Sequence, residues 1–118
     1  MIDKTRTRIV LPFPPSINHY YLHVPGHKVI LSPEGRAYRD EAKWRANLAV
    51  DYILHTDVGM EVHLYRPMQR GDIDNNLKAL LDSLIGIAYD DDKQVAELHV
   101  YRHDDKKHPR AEVTIWAK

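Results

Sequence analysis

The chain has 118 residues, no cysteine and a formal net charge of zero. This length suits one domain and is too short for two, so we expect a single domain over residues 1–118. A composition of 43% hydrophobic and 29% charged residues predicts a packed globule and excludes a disordered or fibrous chain. Without cysteine, disulfides and thiolate zinc sites are excluded. The sequence has no signal-like apolar run, so we expect a cytoplasmic protein without a membrane partner.

The zero net charge also bears on nucleic acid as a partner. Lysine and arginine supply most non-specific affinity for DNA by neutralising phosphates, so the charge disfavours a simple DNA-coating role. It does not exclude a metal-dependent nuclease, because clustered carboxylates lower the formal sum and are neutralised once a metal binds.

The N-terminal third predicts two strands. β-branched residues favour a strand from Thr5 to Leu11, which the prolines at positions 12–15 end. An extended segment is expected to continue through Tyr21. The pair Pro25-Gly26 predicts a turn before a short strand from Lys28 to Leu31.

A long helix is predicted next. Ser32 suits the N-cap and Pro33 the first helical position, and the helix is expected to run to about Leu54. We interpret Trp44 and Trp116 as core or dimer contacts, since both lie within predicted regular elements. The positions that share one face by helical spacing are Tyr38, Ala42, Arg45, Ala46, Ala49, Tyr52 and Ile53.

The second half predicts three strands and a second helix. Alternating apolar residues favour a strand from Met60 to about Pro67. Leucines at helical spacing predict an amphipathic helix from Asp74 to Ile85, which Gly86 ends. Alternation over Ala96–Tyr101 and again over Val113–Ile115 predicts a closing hairpin.

Acidic residues are concentrated in two short stretches of this half. The stretches are Asp72-Ile73-Asp74-Asn75-Asn76-Leu77-Lys78 and Asp90-Asp91-Asp92-Lys93. Two carboxylates within about 4 Å repel by roughly 4 kcal/mol at an effective dielectric constant of about 20. A fold that gathers three carboxylates therefore needs a cation or a proton, and Mg²⁺ prefers such oxygen ligands.

The spacing of the charged residues in the first stretch predicts how their side chains lie relative to one another. Asp74, at or near the N-cap, and Lys78, four residues later, share a helix face, so we expect Lys78 to reach towards Asp74. Asp72 precedes Asp74 by two residues in extended chain, which allows both carboxylates to converge on one ion. Alternatively, Asp74 only caps its helix, Asp72 stabilises a turn, and the second stretch is a solvated loop. Spacing alone does not choose between these interpretations.

The histidines offer a weaker alternative. His19, His23 and His27 recur every four residues, but Pro25-Gly26 prevents a helix from aligning them. We therefore do not predict a zinc site.

At these motifs the chain resembles the RusA family of Holliday junction resolvases, small endonucleases encoded by bacteria and prophages. The similarity extends over nearly the whole length, and the order and spacing of the segments carry it. The segments are Leu11-Pro12-Phe13-Pro14-Pro15-Ser16 with Asn18 and Tyr20-Tyr21, Ser32-Pro33-Glu34-Gly35 with Tyr38-Arg39, Asp72-Ile73-Asp74-Asn75 with Lys78, and Asp91-Asp92-Lys93-Gln94-Val95.

The resemblance implies an α+β fold, in which a mixed sheet packs against two main helices in a single-domain two-layer sandwich. It implies a homodimer that binds branched DNA at four-way junctions and makes paired, symmetric nicks in recombination and repair. The expected cofactor is Mg²⁺, which Mn²⁺ can replace, and no organic cofactor is expected.

The resemblance also assigns roles to individual residues. Asp72, Asp74 and Asp92 are the expected metal ligands, and Lys78 matches the essential catalytic lysine of the family. Asp91 is expected beside these ligands without contacting the metal. The residues expected to contact DNA are Ser16, Asn18, His19, Arg70 and Asn75.

The sequence departs from the family pattern in two places. Ile17 and His19 stand where polar and basic residues are common, and residues 66–70 are less basic than the family's arginine-rich run. Because basic residues set both the affinity for DNA and its salt dependence, the resemblance does not fix either property for this chain. Two alternative functions stay open: a nuclease for forks or flaps in phage genome processing, and a catalytically silent dimer that only binds junctions.

Overall fold

The structure is a computed structural model that describes residues 5–26, 28–68 and 73–118. Within these ranges it contains six strands, three α-helices and two 3₁₀ turns. The strands are β1 (Arg6–Pro12), β2 (Tyr21–Val24), β3 (Lys28–Leu31), β4 (Val58–Arg66), β5 (Val95–Asp104) and β6 (Arg110–Ala117). The helices are α1 (Ile17–Tyr20), α2 (Pro33–Ala49) and α3 (Leu77–Ser83), and the 3₁₀ turns are Ile73–Asn76 and Asp92–Gln94. The predicted α+β class is confirmed.

The main sheet is mixed, as predicted. Its strand order is β1-β6-β4-β5, with β4 and β5 parallel and the other pairs antiparallel. Strands β2 and β3 form a separate hairpin across the predicted turn at Pro25-Gly26. Within the described residues, no helix is long and apolar enough to span a membrane.

The predicted hairpin between the last two strands is wrong, because β4 lies between β5 and β6. The connection crosses the end of β4, where the Asp105 N–H donates to the Arg66 carbonyl over 2.9 Å. Strand β4 is an interior strand, as is β6, and its alternate residues Met60, Val62 and Leu64 are all buried. The alternation of apolar residues along the sequence locates these strands but does not indicate which strands pair.

One face of the sheet carries the core. Helix α2 packs on β1, and α3 packs on α2. The buried apolar residues include Ile9, Leu11, Tyr20, Tyr38, Ala42, Ala46, Val58, Met60, Val62, Leu64, Leu80, Leu84, Tyr89, Val113 and Ile115. These elements form one cluster, consistent with a single domain.

Helix α2 begins where the sequence predicts. The Ser32 hydroxyl accepts the Gly35 N–H over 2.8 Å and donates to the His19 carbonyl, so one side chain caps α2 and ties it to α1. The predicted end near Leu54 is wrong. The chain becomes extended at Val50, and the Leu54 N–H instead donates to the Ala88 carbonyl over 2.9 Å.

The shorter helix changes which side chains are buried. Tyr38, Ala42 and Ala46 lie in the core as predicted, but Tyr52 lies beyond the helix and is 69% exposed. Trp44 is 62% exposed, so its interpretation as a core residue is wrong, and the dimer interpretation stays untested.

Two other local predictions need correction. The segment before Tyr21 is not wholly extended, because Ile17–Tyr20 forms the short helix α1. The predicted helix from Asp74 is a 3₁₀ turn followed by α3, so Asn76 is the N-cap, and Asp74 is not. Gly86, with φ of 85°, follows α3 and donates its N–H to the Tyr89 carbonyl over 2.7 Å.

Candidate active site

The side chains of Lys78 and Asp92 meet between α3 and the second 3₁₀ turn. Lys78 lies in the first turn of α3, and Asp92 opens the turn that leads into β5. Lys78 Nζ donates to Asp92 Oδ2 over 3.5 Å, the outer limit of a hydrogen bond. The contact that the structure gives Lys78 is therefore with Asp92, whereas the sequence predicted Asp74.

The surrounding charges keep Lys78 protonated. Partial burial disfavours its ammonium, but the negative potential of Tyr21, Asp92 and Asp82 outweighs that effect and raises the pKa of Lys78. A permanently charged ammonium beside a carboxylate cannot act as a metal ligand or a general base near neutral pH. It can stabilise negative charge on a phosphate.

Three side chains to which the sequence analysis gave no role hold α3 in place. The Tyr20 hydroxyl donates to the Asp82 carboxylate, which joins α1 to α3. Lys43 Nζ donates to the Ser83 and Ile85 carbonyls over 3.3 and 2.7 Å, and so satisfies the C-terminal end of α3 from α2. Asp82 follows Lys78 by four residues, a spacing that could have indicated a shared helix face.

Hydrogen bonding separates the roles of Asp91 and Asp92. Asp91 Oδ1 accepts the Lys93 N–H over 2.9 Å, and the Gln94 side chain accepts the Asp91 N–H over 2.9 Å, which completes a capping box. Two hydrogen bonds lower the pKa of Asp91. The larger effect comes from the Lys93 N–H, and the smaller one from the side chain of Asp92. Asp91 is thus engaged in the turn, and Asp92 faces Lys78.

Gln94 was also missed from sequence. Its Nε2 donates to the Leu54 and Thr56 carbonyls over 2.8 and 2.7 Å, so it anchors the acidic turn to the segment before β4. The signal was available, because an acidic residue followed three positions later by glutamine is typical of a capping box.

Asp74 is exposed on the first 3₁₀ turn, which contacts both α3 and β5. Lys78, two residues after this turn, contacts Asp92, and this contact brings the second acidic stretch close to the turn that carries Asp74. Asn75 is exposed beside Asp74. The predictions for Arg70 and Asp72 lie outside the described residues.

The predicted DNA-contacting residues of the N-terminal segment lie on or next to α1. Ser16 is half-buried, and Asn18 and His19 are exposed. The Asn76 side-chain amide donates to the Pro14 carbonyl over 2.9 Å, which joins this segment to the turn that carries Asp74. Sequence-distant candidates thus lie on connected elements.

The predicted metal site lies partly within the described residues. In residues 5–26, 28–68 and 73–118, no three histidine, cysteine or acidic side chains are grouped to hold a metal ion. Of the three predicted ligands, this part of the chain contains Asp74 and Asp92. Their carboxylate oxygens have the donor chemistry of a hard divalent cation. His19 lies on α1 and His23 on β2, which gives no support to zinc.

Comparison with known proteins decides the family. The family model described as endodeoxyribonuclease RusA matches residues 12–116. The chain belongs to the RusA family. The crossover junction endodeoxyribonuclease RusA of Escherichia coli strain K12 is 38% identical over 110 residues, which cover 91% of each chain. The proteins of that name from Shigella sonnei and Enterobacteria phage 82 are each 37% identical with the same coverage. The predicted RusA resemblance and endonuclease class are confirmed.

Proposed function

We propose that this chain is a Mg²⁺-dependent endodeoxyribonuclease that resolves four-way DNA junctions by paired, symmetric nicks in recombination and repair. Its relatives are named crossover junction endodeoxyribonucleases. The observation that carries the proposal is the contact of Lys78 with Asp92, next to elements that also bring Asp74 to this side of the molecule. A charged lysine among carboxylates is the arrangement expected for metal-assisted hydrolysis of a phosphodiester.

Asp72, Asp74 and Asp92 would hold the divalent cation, with Asp91 beside them. When bound, Mg²⁺ supplies positive charge for the phosphate oxygens and acidifies water, and Mn²⁺, with similar ligand preferences, can replace it. Asp91 is engaged with the Lys93 N–H, so its contribution is to hold the turn that orients Asp92.

Lys78 is the charged group that this chain itself directs at the reaction. Its ammonium lies on α3, which Tyr20 and Lys43 fix through Asp82 and two carbonyls. A charge carried on an anchored helix can stabilise the negative charge that develops on the phosphate without rearrangement of the backbone. The residues proposed to bind the DNA strand beside it are Ser16, Asn18, His19, Arg70 and Asn75.

The proposal includes a homodimer as the acting species. Two nicks placed symmetrically require two sites related by a twofold axis, and a closed dimer of one chain is the simplest assembly that supplies them. The partners are therefore a second copy and branched DNA.

The substrate prediction is tested with labelled four-way, three-way and linear DNA of matched sequence. We expect paired nicks at symmetric positions in the four-way junction with Mg²⁺, and none with EDTA. Equal nicking of the three-way substrate would replace the resolvase by a general branched-DNA nuclease. Metal-independent binding without nicking would favour the silent junction-binding dimer.

Replacing Lys78 is expected to impair chemistry more than binding. Lys78→Gln should lower the single-turnover nicking rate by about 100- to 1,000-fold, the typical effect of losing one preorganised charge or donor at a reacting oxygen. Because the pKa of Lys78 is raised, the ammonium persists through neutral pH, and its contribution to both activity and stability is lost only as the pH rises above the ordinary lysine range.

Lys93→Gln is the matched control for Lys78→Gln, since Lys93 is exposed and directly follows Asp92. It should nick at nearly the wild-type rate. Similar losses in both variants would mean that Lys78 contributes only to the general charge of the region.

A further inference from the structure

A cavity of about 490 Å³ opens beside the 3₁₀ turn that carries Asp74. Its volume lies in the range of roughly 300–1,000 Å³ that is usual for small-ligand pockets, and is far too small for a DNA duplex. Five elements meet there: the proline-rich segment after β1, α1, the start of α2, the end of β4, and the turn at residues 73–76. The lining residues that matter below are Phe13, Pro15, His19, Glu34, Met68 and Asn75.

The walls combine apolar surface with a few hydrogen-bonding groups. Phe13 packs partly against the core and also lines the cavity, so its ring is held in place. Pro15 and Met68 add apolar surface, and Met68 is 54% exposed. The His19 imidazole and the Asn75 amide supply donors and acceptors at the edge. A planar heterocycle with a polar rim matches this lining.

Charge argues against a phosphate in the cavity. Glu34 contributes a carboxylate to the lining, which repels an anion. The guanidinium of Arg66, also in the lining, is bound to Asp104 Oδ1 through Nε and Nη2 over 3.0 and 2.8 Å, so a carboxylate offsets its charge. An uncharged occupant is therefore favoured.

Hydrogen bonds within the chain hold two walls of the cavity in place. The Asn76 amide holds the Pro14 carbonyl over 2.9 Å and thereby fixes one wall to the Asp74 turn. The Ser16 carbonyl accepts the N–H groups of His19 and Tyr20 over 3.0 and 2.9 Å, which fixes the next wall. A preformed pocket avoids the cost of ordering its walls on binding.

We propose that this cavity takes one unstacked nucleobase of the DNA strand whose phosphate is cleaved. The inference rests on the proposed nuclease function and adds a base-binding subsite to it. Asn75 is adjacent in sequence to Asp74, so an occupant of the cavity lies next to the candidate site. Extruding a base costs least where pairing or stacking is disrupted, and a branch point interrupts the continuous stack of the duplex. The occupied pocket would fix the strand in register with the cleaved bond.

The test fills the cavity with protein. Met68→Trp puts a large side chain at an exposed position of the lining, where a folding defect is not expected. Loss of one base contact should lower nicking of a four-way junction by about 5- to 150-fold. An abasic nucleotide is then placed in turn at each position flanking the nick. At one of these positions, Met68→Trp and wild type should nick the abasic junction at the same rate, because no base is left to enter the cavity. Leu48 lies on α2 and is 72% exposed. Leu48→Trp is therefore the control, and it should leave the nicking rate of both junctions unchanged.

A second readout separates this inference from the proposed function. With 2-aminopurine at the rescuing position, or at each branch-point position if no nick is found, binding in EDTA should raise fluorescence with wild type and not with Met68→Trp. If wild type nicks junctions but Met68→Trp nicks normally, or no abasic position rescues it, the base pocket is refuted and the nuclease stands. If wild type never nicks but the fluorescence differs as expected, the nuclease is refuted and the base pocket stands. No fluorescence change at saturating protein refutes the pocket in either case.

Discussion

Asp74→Asn is expected to abolish nicking of a four-way junction while leaving junction binding and dimerisation intact. The substitution removes one negative charge from an exposed side chain of the Ile73–Asn76 turn, so it leaves the packed core unchanged. Loss of an outer partner of a metal ligand typically costs 10- to 100-fold in affinity or activity, so loss of a ligand should lower the rate by more than about 100-fold. Single-turnover nicking with Mg²⁺ and binding with EDTA measure the two effects separately.

The control for this prediction is Asp90→Asn. Asp90 belongs to the same acidic region, but its Oδ2 lies 2.7 Å from Nδ1 of His55, and the side chain is 54% exposed. It should nick at close to the wild-type rate. Undiminished nicking by Asp74→Asn would overturn the assignment of Asp74 as a metal ligand. An equal loss of nicking in Asp74→Asn and Asp90→Asn would mean that only the total negative charge of the region matters.

The sequence located the strands better than their pairing. Met60, Val62 and Leu64 alternate with half-buried residues, and this period appears in the structure as the central strand β4. The neighbours of β5 and β6 could not be predicted in the same way. Alternation reports which face of a strand is buried, whereas strand order depends on how a connection crosses the sheet, here over the end of β4.

Helix starts were predicted more accurately than helix ends. Ser32 and Pro33 act through local hydrogen bonding and a fixed φ angle, which are properties of the residues themselves. The end of α2 depends on a tertiary bond, from the Leu54 N–H to the Ala88 carbonyl, that competes with another helical turn. Asp74 is not the N-cap of α3, because the chain enters α3 through a 3₁₀ turn.

The sequence proposes residues for the candidate site but does not predict the contacts between them. The two acidic stretches and Lys78 follow from the sequence and the RusA resemblance. That Lys78 meets Asp92 depends on how α3 lies against the turn before β5. The capping box with Gln94 engages Asp91, which supports the proposal that Asp92 is the metal ligand of the two.

A glycine in α2 determines how closely α1 can approach. A Cβ atom added at Gly35 would lie 2.3 Å from the Tyr20 carbonyl oxygen and 3.1 Å from Tyr20 Cδ1. That carbonyl cannot move away freely, because it accepts the Ser32 N–H over 2.9 Å. The absence of a side chain at Gly35 therefore lets Ser32 cap α2 and hold α1 at once.

Gly35→Ala is expected to lower the free energy of unfolding by a net amount of up to about 2 kcal/mol, because overpacking a buried contact usually costs about 1–3 kcal/mol. This cost opposes the gain of about 1 kcal/mol that alanine gives over glycine inside a helix. Chemical denaturation should show a lower midpoint with an unchanged slope. Nicking should fall as well, because α1 carries Asn18 and His19, and Tyr20 holds Asp82 beside Lys78.

Ala37→Gly separates helix propensity from packing in this comparison. Ala37 is exposed two residues further along α2, so its replacement should cost only the propensity difference of about 1 kcal/mol. If propensity governed both positions, Gly35→Ala would stabilise the protein by a similar amount. A rise in the denaturation midpoint of Gly35→Ala would therefore contradict the close approach of α1 to α2. A fall in that midpoint together with reduced nicking would mean that the same contact supports both the fold and the candidate site.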